Sequence, residues 1–380
     1  MLTPEQIDKL PNRVMEYWEQ AEYDIIADIA RRMQKAGQVT NTAEWQMWRL
    51  KEVGIARSDI LTILASTLNK SQGEIIKSFD ECCTEALNSD DKLYKEAGFT
   101  PIPLQDNPLM QGIILAGLKE TNGTYQNLTA TTANTASRQF ENILDQMNLR
   151  IASGAFTYQE AIKAGISELS QQGIQSITYP SGHIDYLDVA FRRATVTGMS
   201  KTANNLQMQR LDELDIDLVE VTAHPGARPS HAVWQGGIYS RSGKSKKYRS
   251  LITATGYGTG AGLGGWNCRH SFYPYIPGVS TRIYDKKKLK EINNKTVSYN
   301  GKDIPLYEAR DKQRSIERQI RRWKREKAAL EAIGEDASKS NAKIRHWQSV
   351  QRDFTSQTGL KRDYFRERGG KQLTGGPIQH

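Results

Sequence analysis

Apolar residues at Val14, Trp18, Ala21, Ile25, Ile29 and Met33 recur at steps of three or four, so the chain opens on an amphipathic helix. Thr3 as N-cap, Pro4 in the first turn and Gln6 three residues past the cap mark its start, and Gly37 its end. The period continues beyond it. Segments from about Ala43 to Val53, with Trp45 and Trp48, and from Ser58, with Ile60, Leu61, Leu64 and Leu68, read as second and third helices. Ser71-x-x-Glu74 then reads as a capping box ahead of Ile75, Phe79, Cys82 and Ala86, which places Cys82 in a core. Gly98 to Pro103 interrupts the pattern, and another apolar helix runs from Leu109 to Leu118. Thr121 to Thr135, rich in Thr and Asn, fits either a loop or a polar helix face. Residues 1–150 are expected as a helical N-terminal region, with Trp45 and Trp48 available to dock a protein.

The middle of the chain alternates. Thr157-x-x-Glu160 caps a helix to about Leu169, Ile174 to Tyr179 favours a short strand, and Pro180-Ser181-Gly182 turns into a long helix from about Asp185 to Leu214. Leu218-Val219-Glu220-Val221 follows as a strand, so residues 151–280 read as a mixed α/β domain. After residue 281 the Asn300-Gly301 pair marks a hairpin turn. Two helical stripes come next, one with Ala309, Ile316, Ile320, Trp323 and Leu330, the other with Ile344, Trp347, Val350 and Phe354. They predict an antiparallel αα-hairpin over 281–380, with Trp323 and Trp347 in its seam. The fold class is α+β, predominantly helical: helical N-terminal region, mixed α/β middle domain, basic helical-hairpin C-terminal region.

Charge singles out the last part. Residues 281–380 hold 25 Lys and Arg against 13 Asp and Glu, whereas residues 1–280 hold 27 against 30. The basic excess points to a polyanion or an acidic partner for that end. Two sets of cations suit sequence-independent phosphate contact: Arg241, Lys244, Lys246, Lys247 and Arg249 on a small-residue loop, and Arg310, Arg314, Arg318, Arg321, Arg322 and Arg325 on the outside of the hairpin. No run of about 18 apolar residues exists to span a membrane, and Met1 to Glu5 lacks a secretory layout, so a soluble, unprocessed product of the cytoplasm is expected. Three cysteines, two of them adjacent, make no disulfide framework.

One stretch carries chemistry-bearing residues at high density. His224-Pro225-Gly226-Ala227-Arg228-Pro229-Ser230-His231 leads into Trp234-Gln235-Gly236, and Asn267-Cys268-Arg269-His270 follows a glycine-rich loop. His224, His231, Cys268 and His270 are residue types that zinc accepts, but they lack the paired spacing of a compact structural site, so no metal ligand is assigned. A catalytic Cys268 would need a base and an oxyanion pocket, neither of which is legible. Gly260 to Gly265 satisfies the dinucleotide-loop string, yet no helix opens after it to receive a pyrophosphate. No cofactor and no small-molecule substrate are expected.

The Arg228 to Gly236 segment together with the Asn267-Cys268-Arg269 box resembles the head-morphogenesis family typified by the F protein of phage Mu, and within it the phage minor capsid protein 2 group. Tyr307-Glu308-Ala309, Gln313-Arg314 and Thr358-Gly359-Leu360 are similar to that group's tail. The resemblance implies a minor structural protein of a tailed-phage or prophage head, incorporated near the portal and held in the virion with the genome. Portal, capsid proteins and DNA backbone would be its partners. It requires no turnover and implies a box at Asn267, Cys268 and Arg269 that structures the domain; His224, Arg228, His231, Trp234, Gln235 and Gly236 are taken as the other structural residues of the motif. Two rival readings remain: a metal-dependent nucleic-acid-processing enzyme built on His224, His231, Cys268 and His270, and a nucleic-acid-binding protein unrelated to virions.

Overall fold

A computed structural model of the chain describes residues 2–36 and 42–370; the expected helix end at Gly37 lies outside them. Thr3 and Gln6 do form a reciprocal capping box, opening α1 (Pro4–Lys9). The first helix is nevertheless two, because Pro11 brings no N–H to continue the ladder and α2 (Asn12–Ala36) starts afresh. The second and third expected helices are instead one, α3 (Thr42–Asn88). Ser71 caps nothing: it is fully buried within α3, and its hydroxyl donates to the Leu68 carbonyl at 3.0 Å. Ala56, Ile60, Leu64, Leu68, Ile75, Phe79 and Cys82 are all buried along it, and extending a packed helix is cheaper than nucleating a new one. After α4 (Asp91–Glu96), α5 (Pro108–Ala152) takes in the whole Thr- and Asn-rich stretch. Its hydroxyls turn back on the helix, as Thr124 does to Glu120 O and Thr131 to Asn127 O.

α6 (Tyr158–Gln172) starts at the expected Thr157–Glu160 box. The strand that follows, β1 (Gln175–Thr178), turns at Gly182 into an antiparallel partner, β2 (Ile184–Tyr186), before α7 (Leu187–Glu213) begins. Then come β3 (Leu218–Val221), α8 (Pro229–Ala232), β4 (Ile238–Ser240), α9 (Leu251–Thr255), β5 (Phe272–Pro274) and α10 (Lys286–Asn293). β6 (Thr296–Tyr299) and β7 (Lys302–Pro305) pair across Asn300 and Gly301, whose φ values of 52° and 74° fit the tight hairpin predicted there. α11 (Leu306–Ala332), α12 (Ser338–Thr358) and α13 (Tyr364–Glu367) complete the chain. None of the helices among the described residues is long and apolar enough to cross a membrane.

Two compact units result, and neither is one of the consecutive regions 1–150, 151–280 and 281–380. The first collects Met1–Arg13, Gly73–Thr124 and Arg192–Asp311; the second collects Val14–Gln72, Tyr125–Phe191 and Lys312–His380. Long helices make this possible, since α3, α5 and α7 each contribute residues to both.

In the first unit β3 lies between β4 and β5, both antiparallel to it. Val219, Val221, Trp234, Tyr239, Leu251 and Phe272 join Tyr94 and Leu211 in its core. α5 and α7 approach through small residues in a reciprocal pair. A Cβ on Gly117 would stand 2.0 Å from Thr202 Oγ1, and one on Gly198 would stand 2.1 Å from Thr121 Oγ1. Gly198→Val is accordingly expected to cost about 1–3 kcal/mol by overpacking. A urea midpoint unchanged from the parent chain would show that the helices can separate freely there.

In the second unit Trp18, Tyr125 and Phe191 are fully buried together. Arg32, buried, holds Asp28 and Glu52 at 2.7 Å and Asp59 at 2.5 Å. The expected αα-hairpin is present: Ser340 at the start of α12 donates to Glu326, and Gln313 reaches the Lys361 carbonyl beyond the other end. Trp323 is buried. Trp45, expected to be free for docking, is also buried, with the Arg49 guanidinium 5.9 Å from its ring centre.

Candidate functional site

The chain leaves β3 through His224 and makes a turn at Gly226, whose φ of 74° favours glycine and whose Cβ would lie 3.2 Å from Arg310. Arg310 Nη1 donates to the Pro225 carbonyl at 2.8 Å, fixing the turn. Pro229 then sits in the first turn of α8, where its missing N–H is not needed, and His231 follows with its ring turned inward. Trp234 packs in the core, and Gln235 Oε1 accepts the His224 backbone N–H at 3.0 Å.

Residues 268 to 271 return beside this turn, and Thr222 and Ser271 exchange hydrogen bonds at the β5 approach. The result is a buried cluster. Cys268 Sγ lies 3.7 Å from His231 Nδ1 and 3.6 Å from His270 Nδ1, and the three residues are 1–2% exposed. His224 joins at the edge, its ring centre 4.5 Å from that of His270. Burial pushes His270 down to about 2 and His224 down to about 4, and it lowers His231 as well, so all three imidazoles are neutral near pH 7. Burial likewise raises the Cys268 thiol, with His270 and Gly264 backbone amides acting in the opposite sense.

The outer nitrogens of the two inner histidines are both occupied. His231 Nε2 donates to the Ala261 carbonyl at 2.9 Å, and His270 Nε2 to Gln235 Oε1 at 2.9 Å. Arg228 also donates to a carbonyl, that of Trp266, at 3.1 Å. Asn267 adopts φ 53°, a left-handed conformation that asparagine tolerates, and Arg269 pairs with Asp8 at 2.9 Å. No helix follows Gly260 to Gly265. A Cβ at Gly262 would stand 2.0 Å from the Gly256 carbonyl, and one at Gly265 2.3 Å from the Gly260 carbonyl. Those glycines serve close backbone packing that sets the Ala261 carbonyl in place for His231.

The cations expected on phosphate divide sharply. Arg325 is not on the outside of the hairpin: it is 4% exposed, 3.4 Å from the buried Glu22, and donates to the Ser170 carbonyl. Arg321 pairs with Asp188 at 2.5 Å, and Arg314 with Glu317 at 3.3 Å. Arg322 lies over the Trp323 ring at 4.7 Å, and Arg310 holds the Pro225 turn. Arg241 is also committed, to Ile216 O at 2.9 Å and Asp212 at 2.6 Å. The physical reason is that α11 meets acidic side chains within its own unit, and a buried carboxylate demands a paired guanidinium. Of the hairpin set, Arg318 is exposed.

Lys244, Lys246, Lys247 and Arg249 are exposed as expected. A second exposed group escaped the sequence reading: Arg282, Lys286, Lys287, Lys288 and Lys290, on and just before α10. Its signal was four lysines in five residues behind Asp285, which caps α10 by accepting from Lys288 N at 2.7 Å. One arginine of each group, Arg249 and Arg282, approaches Tyr239 of β4. Burial raises the Tyr239 phenol, while the charges of Arg249 and Arg282, one from each group, act to lower it. Leu289 of α10 sits against Gly236, and Gln235 Nε2 donates to Asn293 at 2.6 Å.

A "Structural protein" of Lactococcus phage LL-H is 29% identical over 341 residues, 85% of this chain and 88% of that protein. A "Structural protein" of Lactococcus phage mv4 is 38% identical over 116 residues, 30% of this chain and 85% of that protein. No solved structure shows a significant match. The family described as phage minor capsid protein 2 matches residues 2–356, nearly the full length, and the chain belongs to that family.

Proposed function

We propose that the chain is a minor structural component of a tailed-phage head, taken into the virion with portal and shell proteins during assembly, and that it contacts packaged DNA through the basic face beside β4. One observation carries the DNA contact. Lys286, Lys287 and Lys288 fill the first turn of α10, where the helix dipole disfavours cations, so helix stability does not account for them. Together with the 241–249 loop they form an exposed cationic surface without a groove-reading element, suited to phosphates rather than bases. The buried state of His231, Cys268 and His270 supports a structural rather than a hydrolytic role, since a phosphodiester has no approach to them.

Charge reversal tests the surface. The sextuple substitution of Lys244, Lys246, Lys247, Lys286, Lys287 and Lys288 by Glu is expected to weaken duplex binding at least about tenfold near 0.1 M salt. Its log K against log salt slope should fall by roughly 0.9 per lost phosphate contact. Arg318→Glu, on α11, should change binding little. Equal binding by the sextuple variant would end the DNA proposal, and absence of the chain from heads assembled in its presence would end the assembly proposal.

A further inference from the structure

Hydrogen bonding in the buried cluster leaves a deficit that an ion would fill. The Ala261 carbonyl only accepts, so His231 carries its proton on Nε2 and turns an Nδ1 lone pair towards Cys268. Gln235 is oriented by the His224 backbone N–H, which only donates, and by its own Nε2 donating to Asn293. Its Oε1 therefore accepts from His270 Nε2, and the His270 Nδ1 lone pair also faces Cys268. Two buried acceptors converge on one thiol with one proton. At least one imidazole nitrogen then has no donor from that thiol, which is costly in a dry site.

A metal ion resolves this. We propose that His231 Nδ1, Cys268 Sγ and His270 Nδ1 bind one zinc ion. The ligand atoms lie within 4.8 Å of one another. The S···N separations of 3.7 and 3.6 Å approach the edge, about 3.5 Å, of a tetrahedron drawn with zinc–sulfur and zinc–nitrogen bonds of ordinary length. Two imidazoles and a thiolate suit zinc and not the oxygen-seeking magnesium or calcium. Both imidazoles already have the outer-shell acceptor that metal-bound histidines use to fix their tautomer. The backbone N–H of His270 points at the sulfur at 3.4 Å, a donor suited to a thiolate. On binding, the Cys268 proton is released, one per ion. The ion would tie α8 to the segment entering β5, closing the motif whose two halves the glycine-rich loop separates.

The test uses the full chain, stripped with a chelator and titrated with zinc chloride or with cobalt(II) as a spectroscopic probe. The expected result is one zinc per chain by elemental analysis, a higher melting temperature with zinc, and a sulfur-to-cobalt charge-transfer band. Cys268→Ser should abolish the band and His231→Gln the stoichiometric binding, whereas the double substitution C82S/C83S should keep both. No retained zinc and no cobalt band in the unmutated chain would overturn the proposal, as would a band that survives Cys268→Ser. The lysine reversals above should leave zinc content intact, so failure of the DNA reading and failure of this one are distinguishable.

Discussion

Arg325→Met is expected to destabilise the second unit by about 3–5 kcal/mol, the range for breaking a buried ion pair from one side. Glu22 and Arg325 have side chains 4% and 5% exposed, and Glu22 also accepts the Ile174 backbone N–H at 3.2 Å. Burial pushes the Glu22 carboxyl up and the Arg325 charge draws it down, so without Arg325 the carboxyl is left in a dry site. Gly173, at φ 95°, makes the pair possible, because a Cβ there would stand 2.2 Å from Glu22 Oε1. Urea unfolding followed by helical circular dichroism measures the loss. The double variant Glu22→Gln with Arg325→Met should recover part of it, since no isolated charge remains. A loss below about 0.5 kcal/mol, the range of ordinary surface substitutions, would show that the pair is not buried in solution.

Trp18→Ala should cost a similar amount, about 3–5 kcal/mol, by a different route. Its ring is fully buried, 3.7 Å from the Phe191 ring and 5.8 Å from that of Tyr125. Removing it leaves a cavity between α2, α5 and α7 within the second unit. The indole N–H has no acceptor among the described residues, so Trp18→Phe should be much milder than Trp18→Ala. Equal midpoints for the two variants would mean that the site collapses around either side chain.

Local signals were legible where they act over a few residues. The Thr3 and Thr157 capping boxes, the Asn300-Gly301 hairpin and the stripe of α11 form as read, whereas on α12 only Phe354 of the expected stripe is buried and Ile344, Trp347 and Val350 are half-buried. Ser71-x-x-Glu74 satisfies the same pattern as Thr157-x-x-Glu160 and forms no cap, because packing along α3 outweighs a local hydrogen bond. The motif was legible as a set of residue types, with Cys268 and the histidines named together. Their convergence was not, since it depends on β3 and β5 pairing at Val221 and Phe272 to bring Thr222 against Ser271.

Arg318 and Arg325 are the same residue type on one helix, yet one is exposed and the other buried against Glu22. Periodicity, capping and net charge are properties of neighbours along the chain, and from them the predominantly helical α+β class and the cationic C-terminal bias followed directly. Which arginine meets a carboxylate, which lysine meets solvent, and which histidine turns its Nδ1 to Cys268 are decided by residues far apart in sequence. Those are set only when the long helices and the three-stranded sheet have packed, because burial and partner geometry exist only in the folded state.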